Sequence, residues 1–545
     1  RIVKEADPWT IMTSYNKING IYTSENRGLL QTILRDEWGF KGMVMTDWGG
    51  GRHAPAQVHA GNDLLMPGSA RQAKDIVEAV QNGTLGIQNV NANVRRVLEY
   101  ILKTPHFKAY AYTDKPDLKA HAQVTRHSAE EGMVLLKDDG HALPLKSGLK
   151  AAVFGNTSYN FISGGTGSGD VNEAYTISLV QGLKNDGFKP DTKLAASYAK
   201  YKADYDDAHK GEHHPWFEQR KPMPEMPLDE ALLKKAAKAD AVALITIGRN
   251  SGEGADRHVA NDFDLSEAEK TLLHDVTDAF HAQHKPVVVI LNIGGVIETA
   301  SWSTIPDAIL LAWQGGQEAG NSVADILKGL VNPSGKLPMT FPMSYDEVPS
   351  AANFPSNYVF TREPAKYVMG SLGKKDVDYT NYDEDIYVGY RYYDTFDKPV
   401  AYPFGYGLSY TSFSYKVAKD ANDPYKVQVT VTNTGRRAGK EVVELYVSAP
   451  GENKPAQELR AFAKTELLKP GKSETLTLAF KEADLASYNE AAHAWIVDPG
   501  NYTVKVGASS RDIRGSYQFD IPQSRTVEVC HDVMLPMDPI RTMKK

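Results

Sequence analysis

The 545-residue sequence contains one cysteine, Cys530. An intrachain disulfide is therefore excluded, and so is a zinc site built from several thiolates. Apolar runs such as residues 287–291 are far shorter than the roughly 20 residues that a membrane-spanning helix needs. The formal net charge is only −7, and basic residues are scattered among acidic ones without forming a stripe. These absences predict a soluble protein that binds neither a membrane nor nucleic acid.

Length and apolar content are sufficient for several cores. With 545 residues, 41% of them hydrophobic, we expect two to four domains of about 100 to 200 residues each. The chain opens at Arg1, so a signal peptide upstream of it stays open as an expectation. The compartment, cytoplasmic or periplasmic and secreted, is undecided by the sequence.

The first hundred residues alternate between strand and helix patterns. The predicted strands are 9–15, 42–46 and 63–66, and the predicted helices are 29–38, 70–81 and 90–102. A closed eight-stranded βα barrel takes about 250 residues, whereas a proline-rich stretch begins at residue 104. We therefore expect residues 1–106 to be the C-terminal part of a (β/α)8 TIM-like barrel, followed by a linker at 107–129.

Three further parts follow the linker. Near-continuous apolar strands at 151–154, 242–247, 287–292 and 309–313, with helices between them, predict an α/β sandwich domain with a mostly parallel sheet over 130–345. Residues 346–412 are aromatic and turn-rich, which indicates a wrapping segment. Alternating strands then predict a β-sandwich over 413–520, with 521–545 as a tail.

Asp47 comes directly after the predicted buried strand 42–46. In a βα barrel, active sites lie at the carboxyl ends of the strands, so Asp47 is a candidate catalytic carboxylate. The alternative is a turn or N-cap aspartate, because glycines occupy 49–51. Trp48 can stack on the apolar face of a sugar ring, and its alternative is ordinary core packing.

Cleavage of a glycosidic bond with retention needs two carboxyl groups about 5 to 5.5 Å apart, one as nucleophile and one as acid and base. Glu253 is the second candidate, because it follows the predicted strand 242–247 in a loop with a glycine on each side. Flanking glycines allow the loop to project this side chain into a neighbouring site. The alternative is a solvent-facing glutamate in an ordinary surface loop.

A glycine-rich run, GGTGSGD at 164–170, follows the predicted strand 151–154. A phosphate cradle would need a Lys-Ser or Lys-Thr ending or a helix that opens within the glycines, and the run fits neither pattern. We interpret it as a sugar-contacting loop that includes Ser168, with a plain turn as the alternative. The histidines form no ligand set with a third partner, so no metal site is predicted.

Short motifs occur in a fixed order along nearly the whole chain: SYNKING at 14–20, LRDEWGF at 34–40, TDW at 46–48, GND at 61–63, MPG at 66–68, GMVLLK at 132–137, NPSGKLP at 332–338, FGYGLSY at 404–410 and NTG at 433–435. Together they resemble glycoside hydrolase family 3, the β-glucosidase family. The resemblance implies a barrel, an α/β sandwich domain and a C-terminal fibronectin type III-like β-sandwich.

The same resemblance implies roles for individual residues. It assigns the nucleophile to Asp47 of the Asp-Trp pair and the acid/base to Glu253 of the Ser-Gly-Glu-Gly loop. Tyr15 is similar to the tyrosine that hydrogen-bonds the nucleophile, Trp48 to the tryptophan that lines the glucose subsite, and Ser168 to a substrate-contacting serine. The implied activity is that of a retaining exo-β-glucosidase that removes terminal, non-reducing β-D-glucosyl residues from oligosaccharides or glucosides without a metal or other cofactor.

One part of the family pattern has no match in the chain. The family's barrel contributes an upstream aspartate, arginines and a Lys-His pair that hold the sugar hydroxyls. We therefore expect a fragment, a processed product, or one of two polypeptides that complete the barrel together, since an open apolar sheet edge invites aggregation. A homodimer also stays open.

The sequence leaves three alternatives to a β-glucosidase open. The nearest is the same chemistry on another sugar, as in a β-xylosidase or another exo-β-glycosidase of the family. A different class is a non-catalytic carbohydrate-binding or assembly protein, which would bind saccharides without turning them over. A nucleotide-binding protein that uses residues 164–169 is the third.

Overall fold

The computed structural model describes residues 1–212, 222–250, 252–253, 257–354, 380–536 and 539–545. Residues 251 and 254–256 of the Glu253 loop, and residues 355–379 of the expected wrapping segment, lie outside the described residues. Within the described ranges, the longest apolar helices are too short or too polar to cross a bilayer.

The N-terminal region, residues 1–103, contains a short parallel sheet. The strands of the whole region are β1 (Thr10–Thr13), β2 (Lys17–Ile18), β3 (Ile21–Tyr22) and β4 (Met43–Thr46). β1 and β4 pair in parallel, Met45 forms a parallel bridge to Leu64, and β2 and β3 form an antiparallel hairpin. The helices of this region are Ile2–Ala6, Gly28–Glu37, Ala54–Ala60, Ala70–Gln81 and Ile87–Lys103.

The predicted alternation of this region is therefore observed, and the helix expected at 70–81 is found at Ala70–Gln81. Ser69 caps it, because its side chain accepts a hydrogen bond from Gln72 N. A small apolar cluster that includes Leu34, Phe40 and Val44 packs the Gly28–Glu37 helix against β4. This packing fixes the strand end from which Asp47 extends.

A six-stranded sheet forms the centre of the α/β domain. Its strands are β5 (Val134–Asp138), β6 (Lys150–Phe154), β7 (Lys189–Pro190), β8 (Val242–Arg249), β9 (Val287–Ile293) and β10 (Ala308–Leu311), in the order β5-β10-β9-β8-β6-β7. All neighbours run parallel except β5, which is antiparallel to β10. The helices are Leu118–Gly132, Leu179–Asn185, Thr192–Ala208, Glu230–Ala239, Glu267–His281 and Ala319–Lys328.

Both faces of this sheet are covered, as the apolar strands predicted. Val287, Val289 and Leu291 of β9 belong to one buried cluster, whereas Val288 and Ile290 belong to another. Successive side chains of a strand point to opposite faces, so each cluster marks one face. The parallel strands β6 and β8 end at the same edge, which brings the glycine-rich run after β6 towards the Glu253 loop after β8.

The next segment connects the α/β domain to the sandwich. Strands β11 (Phe341–Pro342) and β12 (Val400–Tyr402) pair antiparallel, and a short helix occupies Tyr390–Thr395. Leu408 forms a bridge to Leu135 of β5. The described part of the expected wrapping segment is thus tied to the α/β sheet.

The C-terminal part is a β-sandwich, which confirms the predicted architecture. Its strands are β13 (Phe413–Lys419), β14 (Lys426–Asn433), β15 (Val442–Ser448), β16 (Glu458–Lys464), β17 (Ser473–Ala479), β18 (Ser487–Asn489), β19 (Ala494–Val497), β20 (Gly500–Ser509), β21 (Asp512–Ile521) and β22 (Arg525–Val529). Sheets β13-β14-β17 and β16-β15-β20-β21 enclose one apolar core, and β18-β19-β22 form a third sheet. β22 lies within the segment 521–545 that the sequence suggested as a tail.

Candidate active site

Asp47 is the first residue after β4. Its backbone N–H donates to Thr13 O at the end of β1, at 3.1 Å, so the pairing of the two strands continues into Asp47. Its carboxylate Oδ1 accepts from Trp48 N at 2.7 Å. Gly50 N donates to Asp47 O at 3.0 Å and closes the turn. The carboxylate therefore extends from a fixed backbone at the carboxyl end of the parallel pair.

Polar side chains, one of them fully buried, brace the turn behind Asp47. Gln57, only 1% exposed, donates to Gly50 O at 2.6 Å and to Ser24 Oγ at 3.1 Å. Gly51 has φ +82°, and a side chain there would collide with Gln57. Glu25 Oε1 accepts from His53 N at 2.8 Å. The sequence analysis did not identify Gln57 and Glu25, because each acts through a tertiary hydrogen bond that no local sequence motif indicates.

Tyr15 lies just beyond β1 and is 40% exposed. Its hydroxyl lies near the Asp47 carboxylate, which is one cause of a raised Tyr15 pKa. Burial raises the pKa of Tyr15 to about 12, with further contributions from the hydrogen bond to Asp47 and from the negative charges of Asp47 and Glu253. The phenol therefore remains a proton donor at neutral pH. Two carboxylates that are 206 positions apart in the chain thus both contribute to the raised pKa of Tyr15.

Glu253 is held against the glycine-rich run. Gly252 forms a parallel bridge with Thr166, and Glu253 N donates to Thr166 O at 3.4 Å. Ser168 N donates to Glu253 Oε2 at 3.0 Å. Gly167 has φ +68°, and a Cβ there would lie 2.5 Å from Glu253 Cβ, so only glycine fits. Gly167 therefore makes room for the Glu253 side chain beside the glycine-rich run.

A buried amide anchors the start of the glycine-rich run. Asn292, fully buried at the end of β9, accepts from Ile162 N at 2.7 Å and donates to Ile162 O at 3.0 Å and to Trp313 O at 2.7 Å. At the base of the Glu253 loop, Gln314 Nε2 donates to Asn250 Oδ1 at 3.2 Å. These amides connect the carboxyl ends of neighbouring strands beneath the loop, and no sequence motif indicated them.

Trp48 points away from the core. Its side chain is 58% exposed, so the core-packing alternative does not describe it. Among the described side chains, no group of three or more His, Cys, Asp or Glu residues is arranged to hold a metal ion. The structure thus brings Tyr15, Asp47 and Trp48 together on one loop face, with Ser168 beside Glu253 on the other.

A strand–helix region, a mostly parallel sheet covered by helices and a C-terminal β-sandwich define a multidomain class of protein. Residues 1–100 match the glycosyl hydrolase family 3 N-terminal domain, residues 133–410 match its C-terminal domain, and residues 441–510 match a fibronectin type III-like domain. The chain belongs to glycosyl hydrolase family 3.

Relatives of the chain include enzymes for more than one sugar. The chain is 35% identical over 532 residues to an exo-α-(1→6)-L-arabinopyranosidase of Bifidobacterium breve, and 35% identical over 529 residues to the thermostable β-glucosidase B of Acetivibrio thermocellus. Each match covers 94% of this chain and 63% of the relative, so the chain spans less than two thirds of their length.

A solved structure supports the same relationship. The chain superposes on β-glucosidase 3B from Thermotoga neapolitana in complex with glucose with a TM-score of 0.88 and 43% sequence identity. The match covers 96% of this chain and 72% of that chain. The β-glucosidase of Bifidobacterium adolescentis matches with a TM-score of 0.78 at 33% identity, covering 95% of this chain and 70% of that chain.

Proposed function

We propose that the chain carries the catalytic carboxylates of a retaining exo-β-glucosidase, which hydrolyses terminal, non-reducing β-D-glucosyl residues by double displacement. Asp47 is the nucleophile and Glu253 is the acid/base. The observation that carries the proposal is that Asp47 extends from the carboxyl end of the β1–β4 pair and Glu253 is held beside Ser168. Both carboxylates are among the causes that raise the pKa of Tyr15. Retaining hydrolysis needs two carboxyl groups on opposite sides of one glycosidic bond, and Asp47 and Glu253 are the pair proposed for this.

In the first step, Asp47 attacks the anomeric carbon while Glu253 donates its proton to the leaving oxygen. The bond from the anomeric carbon to the aglycone breaks, and a covalent glucosyl ester of Asp47 forms with inverted configuration. Ser168 N donates a hydrogen bond to Glu253 Oε2. The other oxygen, Oε1, therefore carries the proton that is transferred. The Tyr15 hydroxyl stabilises the charge on the Asp47 oxygen until the new bond forms.

In the second step, the ionised Glu253 removes a proton from water, and the resulting hydroxide attacks the anomeric carbon. The ester bond to Asp47 breaks, the carboxylate returns, and the sugar leaves with its original configuration. Every proton is balanced between Glu253 and water, so these residues need no cofactor for the cycle. Glu253 belongs to a different domain from Asp47, and turnover therefore depends on how the two domains are held together.

The proposed sugar is supported by the relatives. β-Glucosidases are among the similar enzymes, and the Thermotoga neapolitana structure holds glucose. The exposed Trp48 ring beside Asp47 offers an apolar face on which a pyranose ring can stack.

A second candidate sugar is an α-L-arabinopyranosyl residue, because two Bifidobacterium relatives carry that specificity in their names. The chemistry would be unchanged, since the same two carboxylates serve any retaining pyranosidase. β-D-Xyloside remains the third substrate to compare.

The test uses the purified chain with nitrophenyl glycosides of these three sugars. We expect the highest kcat/KM on the β-D-glucoside, and ¹H NMR of the first product formed should show β-glucose before mutarotation. α-Glucose as the first product would contradict double displacement. Binding of glucose without turnover of any of the glycosides would instead favour the non-catalytic alternative.

A further inference from the structure

The end of the chain returns to the region that holds Asp47. After β22, residues 530–534 leave the sandwich and run along the N-terminal region, and we call them the C-terminal strap. Cys530 N donates to His493 O at 2.7 Å, which fixes the start of the strap to the turn before β19. Lys4 Nζ pairs with Glu528 at 2.5 Å immediately before it. The strap is therefore anchored at its sandwich end.

The strap first contacts the helix Gly28–Glu37. His531 N and His531 Nδ1 both contact Glu37 Oε1, at 2.7 and 2.8 Å. The Glu37 side chain is only 8% exposed, so this contact excludes most of the solvent from the carboxylate. At the other end of the helix, a Cβ on Gly28 would lie 3.1 Å from Val533 Cβ. The strap lies close enough to favour glycine at that position.

The strap then reaches the hairpin β2–β3. Asn19 Nδ2 donates to Met534 O at 2.8 Å. Asn19 has φ +47° and Gly20 has φ +87°, and these two residues form the turn between the strands. Asn-Gly is the favoured pair for such a two-residue turn. Asn19 thus shapes the hairpin tip through its backbone and attaches it to the strap through its side chain.

The base of the same hairpin holds Tyr15. Ser14 N donates to Thr23 Oγ1 at 3.1 Å, and Thr23 Oγ1 donates to Ser14 O at 2.8 Å. On the other side of Tyr15, Thr23 N donates to Asn16 O at 3.3 Å. Because both neighbours of Tyr15 are bonded to Thr23, the residue that follows β3, we expect a shift of the hairpin to move Tyr15 with it.

We infer that the C-terminal strap positions the Tyr15 hydroxyl against Asp47 by holding the hairpin tip through Asn19. Asn19 is a positioning residue, since it acts through the hairpin and touches neither carboxylate. The inference rests on the proposed function for its effect on turnover, while the mechanical coupling is independent of it. The sandwich domain then contributes to catalysis although none of its strands carries a catalytic side chain.

Two changes remove the contact in different ways. Asn19→Asp keeps a residue that tolerates the left-handed backbone but removes the N–H donor to Met534 O. Ending the chain after Val529 removes the whole strap. The matched controls are Asn82→Asp, which changes another Asn-Gly pair of the same region whose side chain bonds Thr84, and a chain ending after Ile540, which keeps the strap.

Activity is measured as a double-mutant cycle with Tyr15→Phe. We expect Asn19→Asp and the shorter chain to lower kcat by about 10-fold, with KM changed by less than about 2-fold, because a misplaced donor weakens transition-state stabilisation. In the Tyr15→Phe background, the same changes should cost less than about 2-fold more. A merely structural role would lower kcat equally in both backgrounds, and that outcome would overturn the inference.

Hydrogen exchange supplies a measurement that does not need turnover. Peptides covering residues 14–23 should exchange about 10-fold faster in Asn19→Asp and in the chain ending after Val529, but unchanged in both controls. Unchanged exchange in all variants would overturn the inference. If the wild-type chain hydrolyses no glycoside, the proposed function fails, and this exchange measurement alone decides whether the strap holds the hairpin.

Discussion

The two carboxylates are held in contrasting ways. Asp47 continues a strand and stands on a turn braced by the buried Gln57 and by Glu25. Glu253 stands on a glycine-flanked loop whose described residues contact Thr166 and the Ser168 N–H, with Gln314 bonded to Asn250 at its base. A nucleophile must meet the anomeric carbon at one distance and angle, whereas an acid/base must serve two steps. On the proposed assignment, the more firmly braced carboxylate is the nucleophile.

The largest effect should come from removing the nucleophile. Asp47→Asn keeps the size and the acceptor for Trp48 N but cannot form the covalent ester. We expect kcat on 4-nitrophenyl β-D-glucoside to fall by about 10⁴-fold or more, the scale seen when a covalent nucleophile is lost. Steady-state rates and circular dichroism provide the check, with Asp75→Asn as a control on an exposed helix face.

Azide as an external nucleophile provides a second test of the role of Asp47. In Asp47→Ala, azide can enter the vacated space and displace the aglycone in one inversion, which gives α-glucosyl azide. A kcat for Asp47→Asn within about 10-fold of wild type, or β-glucosyl azide from Asp47→Ala, would be incompatible with the assignment.

The next largest loss of activity should come from substituting Glu253, and its size should depend on the leaving group of the substrate. Glu253→Gln cannot donate a proton, so kcat/KM for cellobiose should fall by about 10² to 10⁴-fold. Hydrolysis of 2,4-dinitrophenyl β-D-glucoside should lose less in its first step, because that leaving group departs without protonation. The readout is the ratio of the two losses, and Glu230→Gln on a neighbouring helix is the control. Equal losses on both substrates would remove Glu253 from the role of acid.

The sequence was informative wherever a pattern is local. Strand–helix alternation, the mostly parallel sheet and the sandwich followed from hydrophobic periodicity, and Asp47 stood out because it ends a buried strand. The bracing residues were not predictable in this way. Gln57 and Asn292 act on carbonyls brought to them by the tertiary fold, and β5 pairs antiparallel with a strand about 170 positions away.

The C-terminal strap is a second feature that local sequence patterns did not predict. Residues 521–545 have no strong periodicity, so the sequence suggested a tail. β22 exists because its backbone pairs with β19, and the contacts of the strap depend on where the N-terminal region lies. Such long-range pairing carries no signature within the segment itself.

A matched pair of substitutions compares the two supports directly. Gln57→Leu removes the donor to Gly50 O beneath Asp47, and Gln314→Leu removes the donor to Asn250 beneath Glu253. We expect Gln57→Leu to lower kcat about 10-fold and Gln314→Leu less than about 3-fold, since only the first loosens the nucleophile. Kinetics of both variants at equal folded fraction provide the measurement. The reverse order would break the proposed contrast between the carboxylates.

The smallest effect on activity should come from substituting a buried glutamate that lies away from the loops of both Asp47 and Glu253. Glu444 of β15 is 4% exposed, beneath Gly405, and accepts from Tyr446 OH at 2.5 Å. Burial raises the pKa of Glu444 to about 7, whereas the donor Tyr446 and the charge of Lys336 oppose the shift. A raised folded-state pKa gives stability that is fully present below the unfolded pKa and is lost as pH rises through about 7.

Glu444→Gln tests this reasoning because it stays neutral at every pH. Wild type should lose about 2 kcal/mol of sandwich stability between pH 5 and pH 8, and the variant should lose much less. Calorimetry at both pH values measures the Tm of the sandwich transition, with the exposed Glu466→Gln as control. Because Glu444 touches neither carboxylate loop, kcat of the folded variant should stay at the wild-type value. A variant whose Tm falls with pH as steeply as wild type would show that Glu444 ionises without cost in the folded sandwich.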